Sequence, residues 1–269
     1  MSSTSVVPSS VRLKTIALPP EHGAWGFLLE PILVGLGVAP SVPGIALAVA
    51  VFGAFLARHP MKIALVDRLH GKRYARTALA ERTALAYSVI SVIGLAATIA
   101  LAGAKPLLPT LLASPLALVL FLSYSRNQGR DLLPELAGAS ALAGTATGIA
   151  LTGDKSIALG LALWTILLAR DIPSIVYVRA RLRLQRGKPF SRPVVLLANV
   201  LALACISVLA VIGLVPVLAA VAVAVLALRA AYGLSHHRRP VRAQTIGMLE
   251  MGYGLLLAVL VILGYALGL

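Results

Sequence analysis

The stretch ARHPMKIALVDRLHGKR, residues 57–73, decides how this chain is divided into helices. It begins as the end of an apolar run and closes crowded with positive charge around one carboxylate, Asp67. Read as a basic loop, it separates one membrane span from the next. A similar stretch, ARDIPSIVYVRARLRLQRGK, returns at residues 169–188. Each starts Ala-Arg and carries a nearby proline, Pro60 or Pro173, ahead of a mixed apolar and basic segment. The shared order reads as an internal repeat.

Composition sets the class. Of 269 residues, 59% are hydrophobic and 12% charged, and the mean hydropathy is +0.94. Soluble domains carry about 25% charged residues, so a soluble fold is excluded. Repeated apolar runs of roughly 20 residues mark an integral membrane protein. Helices are expected near 22–39, 43–59, 83–103, 107–124, 133–152, 156–180, 193–213, 215–232 and 244–267. The expected fold is therefore an all-α polytopic bundle of about nine transmembrane helices, with the termini on opposite sides. Residues 1–20 read as a cytoplasmic N-terminal tail, disordered over 1–10, and 21–269 as a single nine-helix transmembrane domain. The tail has no continuous apolar core and does not read as a cleavable signal peptide. The lone cysteine, Cys205, excludes an internal disulfide and reads as a packing residue.

Charge placement gives an orientation. The chain carries 24 Lys and Arg against 9 Asp and Glu, a formal +15. Arg12 and Lys14, the joins after the second, fourth and sixth predicted helices, and Arg229, Arg238, Arg239 and Arg242 after the eighth all fall on one side. The other side, turned by APSVPG, GAKP, TGDKS and GLVP, keeps only Lys105 and Lys155. Basic residues collect on the cytoplasmic side of membranes, which puts the N-terminus in the cytoplasm and the C-terminus outside. This distribution accounts for most of the charge and removes the main support for nucleic-acid binding.

Rare charges inside apolar runs nominate a site. Glu30 lies well within its helix, in GFLLEPILVG, where an ionisable group faces a cavity or a partner helix. Upstream, PPEHGAWGF suits a helix start with Glu21 at its positive end. His22 and Trp25, three positions apart, share a face and could line a cavity mouth instead. Arg170, Ser174, Tyr177 and Arg181 recur at i, i+4, i+7 and i+11, one polar stripe with Asp171 beside it. An Arg fork there can grip phosphate or carboxylate, or the stripe can be a snorkelling helix end. In the opening stretch, Arg58 and Lys62 are one turn apart, with His59 between them and Asp67-Arg68 further on. The HGKRYAR cluster reads as lipid-headgroup attraction, and SYSRNQGRDLLPELAG adds Arg126. His236 and His237 lack partners at metal-ligand spacing, so no metal ligands are assigned.

The segment LPPEHGAWGFLLEPILVGLGVAPS, residues 18–41, resembles the start of YwiC-like bacterial membrane proteins, with EHGAWG its most specific string. More distantly, the architecture resembles the UbiA superfamily of intramembrane prenyltransferases. Those have nine helices around a cytoplasm-facing cavity and two aspartate-rich motifs after helices 2 and 6. DRLHGKRYARTALAE and ELAGASALAG also look similar to UbiA segments. The aspartates depart from the pattern. With the last motif position on Asp67, the others fall on His59, Pro60 and Ile63; in the second motif Asp171 persists, with Ser174 where another aspartate is expected.

That resemblance implies a divergent transferase in the bacterial cytoplasmic membrane, acting on an isoprenoid or other lipid-soluble phosphorylated substrate. Asp67 and Asp171 would be catalytic. His22, Trp25, Glu30, Arg58, His59, Lys62, Arg68, Arg126, Arg170, Ser174, Tyr177 and Arg181 would bind substrate. Magnesium stays open as a cofactor, its site weakened by the lost aspartates. The alternatives are a non-catalytic binder or transporter of an amphipathic anion or lipid, and an accessory subunit of a membrane complex. Membrane lipids are expected partners, and the oligomeric state is left open.

Overall fold

The computed structural model describes residues 13–19, 22–71, 74–125 and 131–269, apart from the side chains at 22, 117, 120, 121, 124 and 125. The expectation of disorder over residues 1–10 falls outside this set. The described residues form α1 (Leu13–Ala17), α2 (His22–Val38), α3 (Val42–Leu69), α4 (Ala75–Ala102), α5 (Leu108–Ser125), α6 (Leu132–Thr152), α7 (Ile157–Gln185), α8 (Arg192–Val211), α9 (Val217–Gly233) and α10 (Ala243–Leu267). A 3-10 turn at Lys105–Leu107 leads into α5. This is an all-α, multi-span membrane protein.

The count of nine spans is corrected. Five of the described helices are long and apolar enough to cross a membrane: α3, α4, α7, α8 and α10. Helices α2 and α9 have 17 residues each, about 25 Å at 1.5 Å per residue, short of a hydrocarbon core of roughly 30 Å. Helix α6 has the length, 21 residues, but is built largely from Ala, Gly and Thr with Glu135 in its first turn. Apolar runs bounded by turns read as crossings in the sequence, whereas several of these helices bury their apolar residues against other helices.

The second correction concerns the opening stretch. It is not a loop: α3 runs through Pro60 to Leu69, and α7 likewise runs through Pro173 to Gln185. A proline interior to a helix removes one hydrogen bond and crowds the preceding turn, yet both helices continue past it, as helices packed within a membrane bundle can. Two helix starts, those of α3 and α7, carry serine caps. Ser41 Oγ accepts from Gly44 N at 3.0 Å, and Ser156 Oγ accepts from Leu159 N at 3.1 Å. Gly103, at φ 69°, ends α4 in a conformation that favours glycine.

Helices α3 and α4 form a hairpin closed by small residues. A methyl on Gly94 would stand 2.8 Å from Ala50 N, and one on Gly53 would stand 2.9 Å from Ser91 N. Ser91 Oγ donates to Ala50 O at 2.8 Å across this contact, the close backbone approach that small residues permit between membrane helices. The main core lies elsewhere. Val34, Ala146, Leu163, Ile166, Val223 and Leu257 bring α2, α6, α7, α9 and α10 together. Half of the apolar window of α7 is buried, against 17% for α4 and 22% for α8. Helix α7 is therefore central, and α4 and α8 turn their apolar faces outward to lipid.

Candidate functional site

The central helix carries its polar stripe into a buried ionic cluster. Arg170, Asp171, Ser174, Tyr177 and Arg181 are all buried. Arg170 Nη2 donates to Glu30 Oε1 on α2 at 2.7 Å and to the Glu250 backbone carbonyl on α10 at 3.0 Å. Its Nη1 donates to Asp171 Oδ1 at 3.3 Å. Arg229 on α9 donates from Nη2 to Ser174 Oγ at 3.0 Å and makes an ion pair, Nη1 to Glu250 Oε1, at 2.8 Å. Aromatic faces complete the setting. Arg229 lies 4.3 Å from the Tyr177 ring centroid and 5.3 Å from that of Tyr253, and Arg170 lies 5.3 Å from that of Phe27.

Two glycines make the cluster fit. A methyl on Gly254 would overlap the Glu30 carboxylate, and a methyl on Gly26 would stand 3.1 Å from Glu30 Oε1. Beside the cluster, α2, α6, α7 and α10 enclose a cavity of about 80 Å³. Glu135, Arg170, Ser174 and Glu250 form its polar wall, with Glu135 paired to Arg179 at 2.8 Å, and Phe27, Ile175 and Met251 contribute apolar wall. Gly23 and Gly247 also line it, and a methyl on either would meet nothing within 4 Å. Several buried atoms here have no hydrogen-bond partner: Arg170 Nε, Glu250 Oε2 and, behind Gly26, Glu30 Oε2. Buried polar atoms in membrane proteins are ordinarily paired, so these atoms hold unused hydrogen-bonding capacity.

Asp67 sits in a different arrangement. Arg76 donates from Nη2 to Oδ1 at 2.7 Å and from Nε to Oδ2 at 3.1 Å, and the Thr77 hydroxyl donates to Oδ2 at 2.8 Å. Both oxygens are taken by the start of α4, so Asp67 clasps the α3–α4 hairpin. Arg68 joins the same clasp through Glu81 at 2.7 Å. This cluster and the one around Arg170 share no member.

The remaining nominated residues scatter. Trp25 packs against Phe52 and Phe55, with centroids 6.1 and 5.6 Å away. Arg58 lies over the Phe55 ring at 4.9 Å, and Lys62 is exposed further along α3. His59 Nε2 hydrogen-bonds the Thr15 carbonyl of α1 at 3.2 Å. Arg181 Nη2 donates to Arg239 O at 2.6 Å. Arg126, Glu21 and the His22 side chain lie outside the described residues. Glu30, Asp171 and three stripe residues, Arg170, Ser174 and Tyr177, are thus brought together, whereas Arg181 and the nominated residues of α3 are not joined to them. Arg229 and Glu250 were missed as site residues. Each is a charge within an apolar helix, the same signal that singled out Glu30.

Magnesium coordination needs several oxygen ligands in near-octahedral array. Asp67 is saturated by Arg76 and Thr77, and Asp171 lies against Arg170. Among the described residues no group of three or more His, Cys, Asp or Glu is placed to hold a metal. These side chains do not fit a magnesium–diphosphate centre.

Residues 18–150 match the family model described as YwiC-like protein, and over that stretch the chain is similar to that family. No curated protein and no solved structure matches the chain, so nothing in these comparisons ties it to the UbiA superfamily. The matched region takes in Glu30 and Asp67 and stops near the end of α6, before Arg170, Arg229 and Glu250.

Proposed function

We propose that this YwiC-like membrane protein binds an amphiphile by a small polar head, without group transfer, in the cavity between α2, α6, α7 and α10. The observation that carries the reading is the setting of the cavity: Arg170 and Glu250 line it, and each has a buried atom beside it, Arg170 Nε as donor and Glu250 Oε2 as acceptor, without a hydrogen-bond partner. A head with one acceptor and one donor satisfies both. At about 80 Å³, and with a water occupying roughly 30 Å³ of liquid volume, the cavity holds a head and not a chain. The apolar wall of Phe27, Ile175 and Met251 suits the first carbons of a tail.

Charge narrows the head further. Three carboxylates, Glu30, Asp171 and Glu250, face two guanidiniums, Arg170 and Arg229. A neutral or cationic donor beside Glu250 is favoured over a bare anion. Prenyl transfer through metal-bound diphosphate is not favoured, because the acids that would carry it are engaged by arginines. In this reading the basic end faces the cytoplasm, by the positive-inside rule, and Asp67 serves the hairpin.

Native mass spectrometry of the detergent-extracted protein tests the proposal. Wild type is expected to retain a small amphiphile, and Gly247→Leu, which fills open space in the cavity, to lose it while still unfolding in one cooperative thermal transition. Retention by both proteins, or by neither, contradicts the reading.

A further inference from the structure

A second site lies where the end of α7 meets the join between α9 and α10. Arg181, Gln185, Arg238 and Arg242 line a cleft of about 490 Å³ there, on apolar walls from Leu184 and Val241. It shares no lining residue with the interhelical cavity. We propose that this cleft binds a phosphate-bearing anion.

Arg181 is the least exposed of the cleft's arginines. It is 4% exposed, its Nη1 has no hydrogen-bond partner, and no carboxylate among the described residues pairs with it. A buried guanidinium without a counter-charge is strongly unfavourable, and an anion in the cleft supplies that charge. The surroundings are built to keep the site open. Arg181 Nη2 donates to Arg239 O at 2.6 Å and Gln185 Nε2 to Val241 O at 2.6 Å, which pins the join to α7. Arg238 Nη1 donates to Ser235 O at 3.0 Å, fixing the direction of that side chain. Arg242 immediately precedes α10, so the positive end of that helix dipole borders the cleft. No acidic side chain lines it. Three guanidiniums around one cleft match the several acceptor oxygens of a phosphate, through charge-assisted hydrogen bonds. The volume falls within the ~300–1,000 Å³ of small-ligand sites.

Phosphate oxygens reach such a cleft from a lipid headgroup or from a water-soluble phosphate compound, and one experiment separates the two. The full chain, purified and placed in phosphatidylcholine nanodiscs doped with phosphatidylglycerol, is titrated with inorganic pyrophosphate. Bound phosphatidylglycerol is counted by native mass spectrometry and pyrophosphate binding by calorimetry. R238Q/R242Q removes two of the three guanidiniums but leaves buried Arg181 in place. R186Q/R192Q makes the same charge change at exposed positions outside the cleft.

Binding of either probe weakened about tenfold or more by R238Q/R242Q, with R186Q/R192Q within about twofold of wild type, supports the cleft. Retained phosphatidylglycerol that pyrophosphate does not displace assigns the lipid source; displacement assigns the soluble one. Equal loss in both double variants means general charge attraction and overturns the proposal, as does binding of neither probe. Failure here leaves the interhelical cavity untouched, because Gly247→Leu reports on that site alone.

Discussion

Position 254 shows how narrowly the buried cluster is fitted. Its missing side chain is the space that the Glu30 carboxylate occupies, and a methyl there would also stand 2.8 Å from Arg170 Nη2. Gly254→Ala is expected to destabilise the protein by about 1–3 kcal/mol, the range for overpacking. Gly247→Ala, with nothing within 4 Å of its methyl, leaves the thermal midpoint in detergent unchanged. Equal midpoints for both variants would show that Glu30 is not held where described. Arg170→Met leaves Glu30 and Asp171 without their arginine, and breaking a buried pair costs about 3–5 kcal/mol. Thermal unfolding should register it as the most damaging single change in the cluster. Glu30 and the α7 stripe were legible in the sequence because a charge inside an apolar run is expensive and therefore conspicuous. Arg229 looked like one more basic residue at a helix end, and Glu250 carried no spacing that linked it to α7. Gly254 had no signature, because its importance lies in a side chain from another helix.

Helices α3 and α7 show where local reading fails by a fixed mechanism. A proline after an apolar run reads as a boundary, since it disfavours helix in the residue before it. In both helices the cost is absorbed and the helix continues into its basic segment. What had been read as a charged loop is a helical extension, and this changes the meaning of Asp67. On a loop it could reach a cavity; on the last turns of α3 it faces the first turn of α4 and closes the hairpin through Arg76 and Thr77. Asp67→Asn is expected to speed amide hydrogen exchange in the first turn of α4 and leave α7 and α10 unchanged. Altered exchange around Arg170 would mean that the two clusters communicate. Gly94→Val, which drives a branched side chain into the Ala50 backbone, should separate the same hairpin from its other end.

At the scale of the molecule, composition and charge placement were the readable parts. They established a multi-span, all-α membrane protein. The number of spans was not readable from apolar runs alone, because an apolar helix packed on protein and one facing lipid share a composition. Burial separates them, and burial belongs to the assembled bundle. The sidedness proposed from charge placement makes its own prediction. With exposed Cys205 replaced by alanine, single cysteines at Lys105 or Lys155 should react with an impermeant maleimide added outside intact cells. Cysteines at Arg186 or Arg238 should react after permeabilisation, and labelling of both sets from one side would refute the orientation. The central claim is that the cavity beside Arg170 receives a polar head, and the most direct test is an experimental structure of the protein extracted with its native lipid. The account predicts density within hydrogen-bonding distance of Arg170 Nε and Glu250 Oε2, continuing as a tail along Phe27 and Met251. An empty cavity whose arginine and carboxylate atoms have closed on one another would contradict it.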